Sequence, residues 1–135
     1  MTNYTYLLDT NILSDLIRNP GGRVAKQIEE VGEETICTSI IVACELRFGA
    51  EEKKSPPLQA RVEELLQVLG VLPMDVDADL HYADIRAELE AAGTPIGPND
   101  LLIAAHARSL NLTLISANVK EFSRVPGLSI ENWIE

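Results

Sequence analysis

The sequence predicts an α/β protein, a three-layer α/β/α sandwich around a central, mostly parallel sheet. Two observations carry that expectation. Short apolar runs recur near residues 5–9, 35–39, 71–74 and 112–116, and helical patterns fill the intervals between them. Strands that alternate with helices pair in parallel, with the crossovers packed over both faces. A length of 135 residues fits a single domain, 1–135, with enough chain to bury a core without disulfides.

Each element has a local reason. Residues 5–9 are short, apolar and aromatic, as a buried first strand requires. A helix is expected over 10–17, stopped by Asn19-Pro-Gly-Gly22, and another over 23–31, with Val24, Ile28 and Val31 at helical spacing. Residues 35–39 form the second strand and 40 to about 53 the next helix. Ser55-Pro-Pro57 turns the chain into a helix with Val62, Leu65, Leu66 and Leu69 on one side. A strand at 71–74 precedes a long helix over 77–92, with Gly93 just past its end. Thr94-Pro-Ile-Gly-Pro98 leads rigidly into a helix over 99–110. Strands at 112–116 and 128–130 complete the pattern, with no repeat and no linker long enough to divide the chain.

Composition narrows the function. Apolar residues make up 46% of the chain, which argues against disorder. A formal charge of −10 repels a phosphate backbone at long range and counts against nonspecific nucleic-acid binding. It counts less against a nuclease whose acids are neutralised by metal. Residues 1–6 have neither the basic start nor the apolar stretch of a signal peptide. No apolar run approaches membrane-spanning length. Cys37 and Cys44 lack disulfide or zinc spacing and read as two buried thiols. A cytosolic protein is expected.

Three carboxylates stand where folding alone would not choose them. Asp9 ends the first apolar run, Glu45 interrupts what reads as an apolar helix face with Ile41, Cys44 and Phe48 on one side of it and Val42 on the other, and Asp100 opens an apolar helix. Desolvating such acids is costly unless something cationic meets them, and hard divalent cations prefer carboxylate oxygens. Each acid also has a bland reading. Asp9 could cap a helix, Glu45 could reach water along its stem or pair with Arg47, and Asp100 could answer the helix dipole. In parallel sheets ligands bind beyond the carboxyl ends of the strands, where Asp9 and Asn118 fall. All three acids are expected to converge there within metal-sharing distance. His81 and His106 lack ligand spacing and read as packing residues, while Arg86 and Arg108 read as solvated or ion-paired.

Four motifs then occur in one order: Leu7-Leu-Asp-Thr-Asn11, Ala43-Cys-Glu-Leu-Arg-Phe-Gly-Ala50, Gly97-Pro-Asn-Asp-Leu-Leu-Ile-Ala-Ala-His106 and Leu114-Ile-Ser-Ala-Asn-Val-Lys-Glu-Phe122. With the ending Val125-Pro-Gly-Leu-Ser-Ile-Glu-Asn-Trp133, the chain resembles the PIN-domain ribonucleases over almost its whole length. Within them it resembles the VapC toxins of toxin–antitoxin pairs, near the tRNA(fMet)-specific endonuclease branch. The resemblance implies a magnesium- or manganese-dependent endoribonuclease acting on RNA, held in check by a VapB-type antitoxin, and a homodimer. It implies Asp9 and Asp100 as metal ligands, Glu45 as a third catalytic acid and Asn11 as an orienting residue. Where many PIN domains carry a fourth acid, this chain has Asn118, with Glu121 three residues later. Arg47, Arg86, Lys120 and Arg124 are candidates for backbone contact. The apolar side of the 62–69 helix serves either dimerisation or the core. The competing readings are an RNA- or protein-binding PIN-like module without catalysis, and another metal-dependent phosphodiesterase or phosphatase. Against a haloacid-dehalogenase-type phosphatase, Asn11 stands where its second Asp is needed.

Overall fold

The computed structural model describes residues 3–134. Strands β1 (Tyr6–Leu8), β2 (Ile36–Ser39), β3 (Gly70–Leu72), β4 (Thr113–Ile115) and β5 (Ile130–Glu131) form one sheet in the order β3-β2-β1-β4-β5. Every pairing is parallel. Among the described residues, seven α-helices surround it: α1 (Thr10–Arg18), α2 (Arg23–Val31), α3 (Ile40–Lys53), α4 (Pro56–Val68), α5 (Ala78–Ala91), α6 (Pro98–Ser109) and α7 (Val119–Phe122). The expected α/β/α class holds, with a sheet parallel throughout.

The two central strands are covered on both faces. Leu7, Leu8, Leu114 and Ile115 are all fully buried, which is why they read as unbroken apolar runs rather than as alternation. From β1 the chain steps outward to β2 and β3, then returns past β1 to lay down β4 and β5. Right-handed crossovers put the helices of these two halves on opposite faces. The reversal opens between β1 and β4, and beyond the carboxyl ends of those strands lies the crevice where such sheets bind ligands.

Helix boundaries follow local chemistry. Ser39 caps α3, its hydroxyl accepting from the Ile41 amide at 3.0 Å, and Ser55 caps α4 ahead of two prolines. Gly97 and Pro98 start α6 as the sequence implies, and Gly93 takes a left-handed φ of 72° just after α5. The last strand falls at Ile130–Glu131 rather than 128–130, because β5 registers Ile130 against Leu114. A 3-10 turn at Glu33–Thr35 and the four-residue α7 were not expected, being too short to show periodicity.

Two expectations are corrected and one open alternative is narrowed. Cys37 is buried, which pushes its thiol up to about 12, but Cys44 is exposed. Helix α3 buries Val42, Ala43, Leu46 and Ala50, leaving Phe48 65% exposed. Of the stripe read from Ile41, Val42, Cys44 and Phe48, Val42 is in the core and Ile41 packs against it, whereas Cys44 and Phe48 are exposed, so Glu45 stands at the edge of the core face. On α4, Val62 and Leu66 are core residues, as is Leu69 at its end, while Leu65 is only partly buried, so core packing accounts for most of that face.

Candidate active site at the carboxyl edge of the sheet

Asp9 is the first residue after β1 and only 3% exposed. Its amide donates to the Ile115 carbonyl at 2.9 Å, which ties it to the end of β4. One carboxylate oxygen caps α1 by accepting from the Thr10 amide at 2.8 Å, and the other accepts from the Ser116 hydroxyl at 2.8 Å. The Asn11 side-chain amide lies 3.5 Å from that second oxygen and 3.3 Å from Ser116 Oγ, while its carbonyl accepts from the Ala117 amide at 3.0 Å. Burial raises the Asp9 pKa, the Ser116 and Thr10 hydrogen bonds oppose the rise, and Glu45 adds to it. Asp9 is thus both a cap and an uncompensated buried acid.

Glu45 is half-buried on α3 and is gripped at both oxygens. The Thr10 hydroxyl donates to Oε1, and the Asn99 side-chain amide donates to Oε2 at 3.1 Å. Its partner is therefore not Arg47, which pairs with Glu63.

Asp100 lies in the first turn of α6, half-buried, and Oδ2 accepts from the Asn118 side chain at 3.1 Å. Its pKa is raised to about 6, chiefly by burial, then by the charges of Asp9, Glu121 and Glu45, with the Asn118 hydrogen bond opposing. Four carboxylates from α1's cap, α3, α6 and α7 therefore feel one another. Among the described residues, no ion pair involves any of them.

The expected three-acid set at ligating distance from one ion is not formed: among the described residues, no group of three acids, histidines or cysteines is that close. Thr10 and Asn99 hold both oxygens of Glu45, which keeps it at the rim, while Asn118 holds only Oδ2 of Asp100. After burial, the charge of Asp9 is the largest cause that raises the Asp100 pKa. Magnesium fits such a pair, because it commonly takes one or two carboxylates and keeps several waters.

Thr10, Asn99 and Ser116 were missed in the sequence. Short polar side chains at strand ends and helix starts are ordinary caps, so only their motif neighbours gave any signal. His106 is buried and His81 accepts from the Arg108 guanidinium at 2.8 Å, so neither joins the acids. Arg108 also pairs with Asp84, and Arg86 with Glu90, both at 2.7 Å. Of the basic candidates, Lys120 is exposed on α7 beside Glu121, and Arg124 donates to the Pro95 carbonyl at 3.4 Å.

Comparison with known proteins agrees with this architecture. The PIN domain family model matches residues 6–128. The tRNA(fMet)-specific endonuclease VapC of Salmonella typhimurium is 39% identical over 129 residues, covering 95% of this chain and 97% of that protein. Ribonuclease VapC2 of Rickettsia felis is 38% identical over 130 residues, with coverage of 95% and 97%. Among solved structures, a chain of VapBC2 from Rickettsia felis bound to a promoter DNA fragment superposes with a TM-score of 0.90 at 37% identity, covering 96% of this chain and 98% of that one. A chain of DNA-bound VapBC from Salmonella typhimurium gives 0.90 at 38% identity, with coverage of 96% and 98%. With a parallel sheet, acids gathered at its switch point and relatives matched almost end to end, this chain belongs to the PIN-domain family, among its VapC members.

Proposed function

We propose that this chain is the toxin of a VapBC-type pair, a magnesium-dependent endoribonuclease that hydrolyses RNA phosphodiester bonds, with tRNA as the substrate class. The observation that supports it most is Asp100, a carboxyl raised to about 6 by burial and by three neighbouring acids with no basic side chain against it. Acids held in this way are poised for a cation. Asp9 and Asp100 would hold the ion, with manganese as a substitute. Bound there, it supplies Lewis acidity toward the phosphate and a more acidic water.

The chain's own groups do the rest. Ser116 and the Thr10 amide fix both oxygens of Asp9, so the carboxylate needs little reordering when a cation arrives. Thr10 and Asn99 hold Glu45 at the rim, where it can accept a proton from an attacking water. Lys120 and Arg124 supply positive charge beside a protein that is otherwise acidic.

A VapB-type antitoxin is the expected partner. Its surface here is the apolar groove of Leu16, Ile17, Leu65 and Val68, edged by Arg18 and Arg61, next to a second groove that runs to Thr10 and Glu45. No described helix is long and apolar enough to cross a membrane, and a cytoplasmic location suits a tRNA substrate.

The test is cleavage of tRNA(fMet) by purified chain after chelation and again after magnesium is restored. Cleavage that persists in chelator would remove the metal from the reading, and no cleavage of any RNA in magnesium or manganese would remove the enzyme.

The same assay decides how the site is completed. Asn118 presents a neutral donor to Asp100, whereas Glu121 adds charge. Glu121→Gln is expected to weaken magnesium binding by about 10-fold, and Asn118→Ala to reduce turnover with a smaller change in magnesium dependence. Magnesium titrations of the two variants that come out superimposable would assign no metal role to Glu121.

A further inference from the structure

His106 is 1% exposed and takes no part in the acid cluster, yet its surroundings are specific. Nδ1 lies 2.7 Å from Ser39 Oγ. That oxygen also accepts from the Ile41 amide, and the Ser39 hydroxyl still has its own proton to give. Ser39 is fully buried, and among the described hydrogen bonds the ring nitrogen is the acceptor open to that proton. A neutral imidazole that accepts at Nδ1 carries its proton at Nε2. Nε2 is buried without a hydrogen-bond partner, and the Pro73 backbone is close enough to act on the ring. Burial lowers the ring's pKa and keeps it neutral, against a smaller opposite push from Pro73.

The contact joins the two helices that carry the site. Ser39 caps α3, which holds Glu45 six residues on, and His106 lies on α6, seven residues after Asn99. At the other end, Asn99 donates to Glu45 at 3.1 Å. The separations along the two helices are about 9 Å and about 10.5 Å at a rise of about 1.5 Å per residue, so the two contacts form matched rungs between antiparallel neighbours.

We propose that His106 is a positioning residue for the RNA-cleaving site: as an Nε2-protonated acceptor for Ser39, it sets the register of α6 against α3 and so the placement of Asp100 relative to Glu45. This rests on the endonuclease reading for its catalytic readout, but not for its structural one. A buried hydrophobe would fill the same volume without fixing any register, because only the hydrogen bond is directional.

The experiment uses the full chain and two variants. His106→Leu removes the acceptor and keeps the apolar bulk, while His106→Asn restores an acceptor oxygen close to the Nδ1 place. With melting curves showing both folded, His106→Leu is expected to lose on the order of 10- to 100-fold in kcat with KM little changed, and His106→Asn to recover most of it. Equal losses in both variants, or wild-type kcat in His106→Leu, would overturn the proposal. Nitrogen NMR of the wild-type ring is expected to give the Nε2-protonated tautomer at neutral pH, and the other tautomer or a charged ring would overturn it. The Asn99 side-chain amide resonance is expected to move in His106→Leu and return in His106→Asn. If the wild type cleaves no RNA, the functional reading fails, and the tautomer and the Asn99 resonance still judge the register.

Discussion

Asp100→Asn is expected to abolish RNA cleavage while making the metal-free protein more stable. The two effects have one origin. The carboxyl sits at about 6 in the folded chain against an ordinary 3.8, because burial and the charges of Asp9, Glu121 and Glu45 outweigh the Asn118 hydrogen bond. Between those two values the folded state binds more protons than the unfolded state. The contribution of Asp100 to stability is therefore fully present below about 3.8, and it is lost as pH rises through about 6. At pH 7.5 the ionised group opposes folding. Half-exposure screens that penalty, leaving about 1 kcal/mol, or about 3 °C in Tm. The amide is close in shape and has no charge, so the variant is expected to melt higher than wild type in chelator at pH 7.5 and equally at pH 3.5. Adding magnesium is expected to reverse the order, since only the wild type gains binding free energy. Cleavage should fall by more than the ~10–100-fold seen when supporting groups of a metal site are lost. A variant that melts lower at pH 7.5 would mean that Asp100 is not a strained acid, and one that still cleaves would end its role as a ligand.

That coupling of strain with function also explains what could be read in the sequence. Asp9 and Asp100 stood out because each breaks an apolar pattern at a predictable end of an element, and the sheet order places β1 beside β4. Glu45 was found for a partly mistaken reason. Cys44 and Phe48 are exposed on its helix, so only the Ile41 and Val42 part of the apparent stripe marks the core. A helix's apolar periodicity shows which residues could be buried, and its neighbours decide which are. Thr10, Asn99 and Ser116 were invisible for the opposite reason, since their roles arise only from contacts between distant segments such as Ser116 with Asp9. The short α7 likewise gives no pattern, yet it carries Glu121 and starts after Asn118, whose side chain goes to Asp100.

The stability of that short helix leads to the second large effect. A four-residue helix cannot persist on its own, because nucleation costs more than one or two hydrogen bonds return. What holds α7 in place is Phe122, fully buried and among the largest side chains in the core. Its amide donates to the Asn118 carbonyl at 3.2 Å, and the Phe122 carbonyl accepts from the Val125 amide at 3.1 Å. Phe122→Ala is accordingly expected to cost about 3–5 kcal/mol, a large part of the ~5–15 kcal/mol typical of a domain. Phe122→Leu keeps most of the apolar volume and is expected to cost less than about 1.5 kcal/mol. Urea midpoints measured for the three proteins give these differences directly. Activity adds a finer test, because Asn118 and Glu121 reach Asp100 only while α7 is docked. In conditions where Phe122→Ala is still folded by circular dichroism, its RNA cleavage is expected to be reduced and the magnesium concentration it needs to be raised. A loss of under 1 kcal/mol would show that α7 is held by something other than this ring. Full activity in a destabilised but folded Phe122→Ala would show that neither Asn118 nor Glu121 is needed at the site.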